Sequence, residues 1–210
     1  LLSACGHKIL IDCGMEQGPD TYENVPPPVA PGEIDCVLLT HAHIDHSGKL
    51  PMLTANGFNG PIYTTGATAK LCNIMLLDSA HIQEAESVWR NRKARRAGGE
   101  PYTPLYTIED VQKTLPLFRP CDYGKEIEIF EGIKVKFTDA GHLLGSASIN
   151  VTINENGTQK SVSVLFSGDL GNMDRPLIRN PQTPDGANYV VCESTYGDRL
   201  HGERPDYVAQ

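Results

Sequence analysis

The sequence predicts an α/β sandwich with mixed sheets. Three observations carry this. Apolar runs of strand length recur along the 210 residues. A long helical stretch separates the early runs from the later ones. The second half then repeats strand-like segments at hairpin spacing with no helix between them, which an all-parallel sheet does not allow.

The elements follow in order. Lys8–Cys13 is an apolar run ending in Asp-Cys-Gly and reads as a strand; the chain begins at Leu1, within what also reads as a strand, so earlier strands are expected to be missing. The stretch 14–32, with Pro19, Pro26, Pro27, Pro28 and Pro31, reads as largely loop. Cys36–Thr40 is continuously apolar up to its threonine, as in a strand buried on both faces. Ser47–Asn56 reads as a helix stopped by Gly57, and Pro61–Thr64 as a short strand. From Thr68 to about Arg96 the pattern is helical, with Leu71, Met75, Ile82 and Val88 near one face and Gly98-Gly99 as the stop. Thr107 to Val111 has the character of a helix start. Ile127–Phe130, Ile133–Thr138, Ala147–Ile153 and Ser161–Phe166 are β-like, with a hairpin turn signal at Asn154–Gly157. Tyr189–Cys192 is a last apolar strand.

Composition narrows the class. Hydrophobic residues make up 40% and charged residues 21%, as in a globular protein, and no apolar run approaches the roughly 18 residues that span a bilayer. The six cysteines are scattered without a C-x-x-C pair, which points to reduced thiols in a cytoplasmic protein. A net charge of −8 argues against a simple nucleic-acid-binding module. Arg90, Arg92, Lys93, Arg95 and Arg96 run the other way, as a solvated helix face or a contact to phosphates.

The chemistry concentrates in Thr40-His-Ala-His-Ile-Asp-His-Ser-Gly48. His41, His43, Asp45 and His46 fall within six residues, directly after a buried strand. Imidazole and carboxylate are the donors that hold zinc and similar dications. His41 and His43, two apart, project to one side of an extended segment, while Asp45 and His46 follow where the chain turns into a helix. Two more candidates close strands beside glycine: His142 after Gly141, with Gly145 nearby, and Asp169 in Ser167-Gly168-Asp169.

H-x-H-x-D-H, then a histidine after a strand, then S-G-D, resembles the metallo-β-lactamase superfamily. The resemblance implies an αββα sandwich with the site at one edge. It implies one metal on His41, His43 and His142, a second on Asp45 and His46, and Asp169 bridging them. Asp12, closing the first strand, matches that superfamily's early aspartate and is expected to orient the ligands. Zinc is the expected metal, two ions in a complete site, with manganese or iron as alternatives. A water between two dications loses a proton near neutral pH and becomes the nucleophile, and the residual positive charge favours an anionic substrate such as a phosphodiester.

Glu193-Ser-Thr-Tyr-Gly-Asp-Arg199, with His201 after it, resembles the β-CASP branch of nucleic-acid-processing nucleases, as does Asp78-Ser-Ala-His-Ile-Gln-Glu84. On that resemblance residues 1–197 are the hydrolase domain and 198–210 open the cap domain. Asp45, Asp169 and Glu193 carry the catalytic roles, Glu193 by supporting a histidine that protonates the leaving oxygen. That histidine and a last metal ligand would lie beyond residue 210, so these residues alone are expected to show weak nuclease activity or none. The expected function is a metal-dependent ribonuclease acting on single-stranded RNA, with DNA a second candidate and self-association left open. Two other readings are a hydrolase of small esters or thioesters, and a non-catalytic scaffold subunit. His81 reads as a hydrogen-bonded structural histidine, with a place lining the cleft as the alternative, His201 as the start of the next helix, and His7 as a surface residue.

Overall fold

In the computed structural model, residues 1–16, 24–155, 161–198 and 200 are described. Two five-stranded sheets form the centre. The first contains β1 (Leu2–Ala4), β2 (His7–Ile11), β3 (Cys36–Leu38), β4 (Ile62–Thr65) and β5 (Phe118–Cys121), in that order. β1 and β2 are an antiparallel hairpin, and β2 to β5 run parallel. The second contains β6 (Glu126–Phe130), β7 (Ile133–Asp139), β8 (Ala147–Ile153), β9 (Val162–Phe166) and β10 (Tyr189–Val191). It is antiparallel from β6 to β9, with β10 added parallel to β9. The mixed sheets and the β8–β9 hairpin match the sequence expectation; most of that hairpin's turn, from residue 156, lies outside the described residues, as do most of 198–210 and part of the 14–32 loop.

Alternation along the strands builds two cores. Ile9, Cys36 and Leu38 point from the first sheet toward Val135, Phe137, Ile149 and Val151 of the second, forming the layer between the sheets. Leu10, Val37 and Leu39 point the other way, onto the helices α2 (Leu50–Ala55), α3 (Gly66–Ala97) and α4 (Ile108–Thr114). Each fully buried aliphatic or aromatic side chain here contributes about 1.5–3 kcal/mol. Among the described residues, no helix is long and apolar enough to cross a membrane.

Three local expectations need correction. The helix expected over Ser47–Asn56 is two short ones, α1 (Ile44–Ser47) and α2, because Pro51 supplies no amide and fits only a first turn. β5 was not foreseen: Phe-Arg-Pro-Cys carries a proline, tolerated because the strand lies at a sheet edge. On α3 the buried stripe is Thr68, Cys72, Leu76, Ala80, Gln83 and Ser87, while Ile82 and Val88 are more than half exposed.

That polar stripe has a purpose. Gln83 Oε1 accepts the Leu105 amide, Glu84 Oε1 accepts the Ile108 amide, and Asn91 bonds both the amide and the carbonyl of Tyr102. The segment before α4 has no strand partner, so α3 satisfies its backbone with side chains. α3 itself starts at the Thr65 cap and stops at left-handed Gly98; α4 carries a Thr107–Asp110 capping box. Of the basic run, Arg90 pairs with Glu86 and lies over Tyr102, while Arg92, Lys93, Arg95 and Arg96 are exposed.

All six cysteines are free. Burial raises the Cys13, Cys36 and Cys72 thiols to about 12 and Cys121 to about 11. In the native protein at pH 8, Cys192 is expected to react with an aromatic disulfide reagent within minutes. Cys13, Cys36 and Cys72 should react only on unfolding. Fast modification of those three would contradict the packing.

Candidate metal centre

The site sits where strands end. β3 runs into Thr40-His41, β7 into Asp139-Ala140-Gly141-His142, and β9 into Ser167-Gly168-Asp169. Backbone bonds tie these ends across the sandwich: Ala147 N–H donates to Thr40 O, Gly171 N–H to Ala140 O, and Ser167 N–H to Val191 O. Gly168, at φ +56, lies so close to Thr40 that a Cβ would stand 2.8 Å from the Thr40 Cβ. The glycine of S-G-D therefore answers both a left-handed turn and a close approach. Gly145 also takes positive φ, and its carbonyl accepts from Thr65 and Thr68, which fastens the His142 loop to the start of α3.

Six predicted side chains converge as two groups: His41, His43, His142 and Asp169, and Asp45, His46 and Asp169. His43 Nδ1 lies 3.1 Å from His41 Nε2 and 3.2 Å from His142 Nε2. Asp169 Oδ2 lies 3.7 Å from His41 Nε2 and 3.5 Å from His142 Nε2. Four donors bound tetrahedrally at about 2.0–2.1 Å stand about 3.3 Å apart, so these spacings fit a cation of zinc's size. The other carboxylate oxygen, Asp169 Oδ1, is 3.1 Å from His46 Nε2, and Asp45 Oδ2 is 3.9 Å from it. Asp169 thus presents one oxygen to each group.

The protons are arranged to leave lone pairs at the centre. Asp12 accepts three hydrogen bonds: Oδ1 from the Thr40 amide, Oδ2 from the Thr40 hydroxyl and from His46 Nδ1–H, each at 2.8 Å. The Thr40 hydroxyl, having donated to Asp12, accepts from His41 Nδ1–H at 3.0 Å. With both Nδ1 atoms protonated, Nε2 of His41 and His46 faces the cluster bare. Burial first, then the neighbouring imidazoles, lowers the His41 pKa to about 2. Burial likewise lowers that of His142, aided by His43 and Arg175 against the pull of Asp169. Burial pulls His46 down too, but its bond to Asp12 and the charges of Asp12, Asp169 and Asp45 outweigh it and raise its pKa. Nitrogens of His41, His43 and His142 and both oxygens of Asp169 converge on the space that the Nε2 lone pairs of His41 and His46 face. The donor set therefore fits a divalent metal.

Other predicted residues fall outside these groups. Glu193 Oε1 accepts the Leu170 amide at 2.7 Å, which holds the chain just after Asp169. His81 is exposed on α3, and His201 lies outside the described residues. His7, expected at the surface, is half-buried, stacked on Phe130 at 3.8 Å and 3.6 Å from Asp35. Sequence reading missed Thr40; its position between a buried strand and the first histidine was the available signal.

Residues 1–162 match the family described as the metallo-beta-lactamase superfamily domain. Ribonuclease TTHA0252 of Thermus thermophilus is 38% identical over 202 residues, which cover 96% of this chain and 41% of that protein. Probable RNase MJ4 of Methanocaldococcus jannaschii is 31% identical, covering 94% of this chain and 42% of its own. Transcription termination factor FttA of Methanosarcina mazei is 32% identical, covering 94% and 29%. The chain spans less than half the length of these relatives.

Proposed function

Because the chain belongs to the metallo-β-lactamase superfamily, we propose that it is the hydrolase portion of a metal-dependent ribonuclease of the β-CASP branch. The observation that carries this is Asp169, whose two oxygens face two separate groups of imidazole and carboxylate donors. That arrangement would suit a pair of metals, which we take to be zinc: His41, His43 and His142 would hold one, Asp45 and His46 the other, and Asp169 would offer an oxygen to each. When bound, such a pair supplies Lewis-acid stabilisation of phosphoryl charge and an activated water.

The chain's own residues do the positioning. Asp12 and Thr40 fix the tautomers of His41 and His46, and Glu193 holds the Asp169 turn through the Leu170 amide. Relatives named as ribonucleases favour RNA over other phosphodiesters. Free cysteines suit a reducing compartment, so we place the protein in the cytoplasm. We assign residues 1–197 to the hydrolase domain and 198–210 to the start of a cap domain.

The test uses the complete protein with labelled single-stranded RNA, single-stranded DNA and a thioester. RNA cleavage that stops with a chelator and returns with zinc or manganese supports the proposal. Thioester turnover with intact RNA sinks it in favour of a small-molecule hydrolase, and DNA cleavage alone moves the substrate class.

A further inference from the structure

A groove of about 580 Å³ opens over the metal centre, walled by His142 and Asp169 on one side and by Glu193 and Tyr196 on another. Its charged walls are acidic apart from one cation. Among the described residues that line it, only Arg175 carries a permanent positive charge. Arg175 is exposed and makes no hydrogen bond or ion pair with any described residue, although its charge reaches His142.

The backbone around Arg175 is set unusually. Asp174 and Leu177, both non-glycine, take left-handed conformations at φ +58 and +68. Such residues are costly and persist only where the surroundings enforce them. Here the Asp174 amide donates to Asn180 Oδ1 at 2.7 Å, and Asn180 Nδ2 donates back to Asp174 Oδ1 at 3.2 Å. Gly171 N–H and Gln182 N–H, at either end of the loop, bond to Ala140 O and Asp139 O beside the His142 strand end. The loop is thus fastened to the element that delivers His142, and it holds over the groove a guanidinium that pairs with none of the described residues.

We infer that Arg175 binds a phosphate of the RNA strand adjacent to the one being cleaved. This rests on the ribonuclease reading above and deepens it. Metals at the centre can neutralise only the reacting phosphate, whereas a single strand carries a charge at every nucleotide. A neighbouring phosphate would otherwise face the Glu193 carboxylate. A guanidinium matches a phosphate with a two-pronged hydrogen bond, and the fastened loop sets where its backbone sits over the groove. Arg175 is a substrate-positioning residue in this account and takes no part in bond breaking.

The experiment is cleavage kinetics of the complete, metal-loaded protein on a labelled single-stranded RNA at several salt concentrations, with metal content measured alongside. Arg175→Ala is expected to raise KM about tenfold, to leave kcat within a few-fold and metal content unchanged, and to reduce the salt slope of log affinity by about 0.7, the loss of one single-strand phosphate contact. Arg175→Lys, which keeps the charge and loses the fork, should fall between, with a wild-type salt slope. An unchanged KM and salt slope in Arg175→Ala overturns the inference. Loss of metal, or a fall in kcat at constant KM, also overturns it by showing that Arg175 acts through His142. Failure of the wild type to cleave any RNA instead removes the ribonuclease reading itself.

Discussion

Asp169→Ala is expected to lose most of its bound metal and to cut RNA on the order of a thousandfold more slowly or worse. Asp169 is the one side chain shared by both donor groups, with Oδ2 within 3.7 Å of two imidazole nitrogens and Oδ1 3.1 Å from a third. Its removal leaves each position short of a donor and takes away the carboxylate that both share. A metal contributes several kcal/mol of transition-state stabilisation, and about 4 kcal/mol corresponds to that thousandfold. The fold should survive, because the turn after Asp169 is held by the Glu193 bond to the Leu170 amide. Metal-free wild type and Asp169→Ala should therefore melt at similar temperatures, while only the wild type gains stability when zinc is added. Full metal content in Asp169→Ala, measured by plasma mass spectrometry, would remove this residue from the site.

Asp12→Ala is expected to weaken metal binding by 10–100-fold or more and to destabilise the metal-free protein as well. Its carboxylate accepts from the Thr40 amide, the Thr40 hydroxyl and His46 Nδ1. Losing it frees His46 directly and His41 through Thr40, and the loss of one such outer partner already costs about 10–100-fold in affinity. The partly buried donors left without an acceptor cost about 1–3 kcal/mol in stability. The pH dependence carries a sign. Asp12 raises the His46 pKa in the metal-free site, so a metal must displace a tightly held proton, and affinity falls as the pH drops through that raised value. Without Asp12 the imidazole releases its proton more readily, and that decline should begin at lower pH. Zinc titrations of both proteins between pH 5.5 and 8 check it; an unshifted profile with unchanged affinity would contradict the role given to Asp12.

What the sequence makes legible follows from how local each interaction is. His41, His43, Asp45 and His46 are one short segment, so their common purpose can be read without a structure. His142 and Asp169 are each uninformative alone and gain meaning from their place at strand ends. Thr40 has only its place before the first histidine as a signal, because its role depends on a hydroxyl positioned between Asp12 and His41. Arg175 could not be read, since a loop with two left-handed non-glycine residues leaves no compositional mark. In the fold, β-alternation found the second sheet, where hairpin pairing is local. The buried face of α3 was misread because apolar periodicity assumes an apolar partner. This helix instead turns Gln83, Ser87 and Asn91 toward backbone groups of Tyr102 and Leu105, and leaves Ile82 and Val88 in solvent.

The central claim is that two metals, shared through Asp169, are held by residues of three strand ends and of helix α1. Its most direct test is the metal content of the complete wild-type protein, purified without chelator and measured by plasma mass spectrometry against protein concentration. The account predicts about two divalent ions per chain, mainly zinc, removed by a chelator together with RNA cleavage and restored with it. Protein that is folded and cleaves RNA, yet carries no divalent metal after gentle purification and is indifferent to chelator, would contradict it.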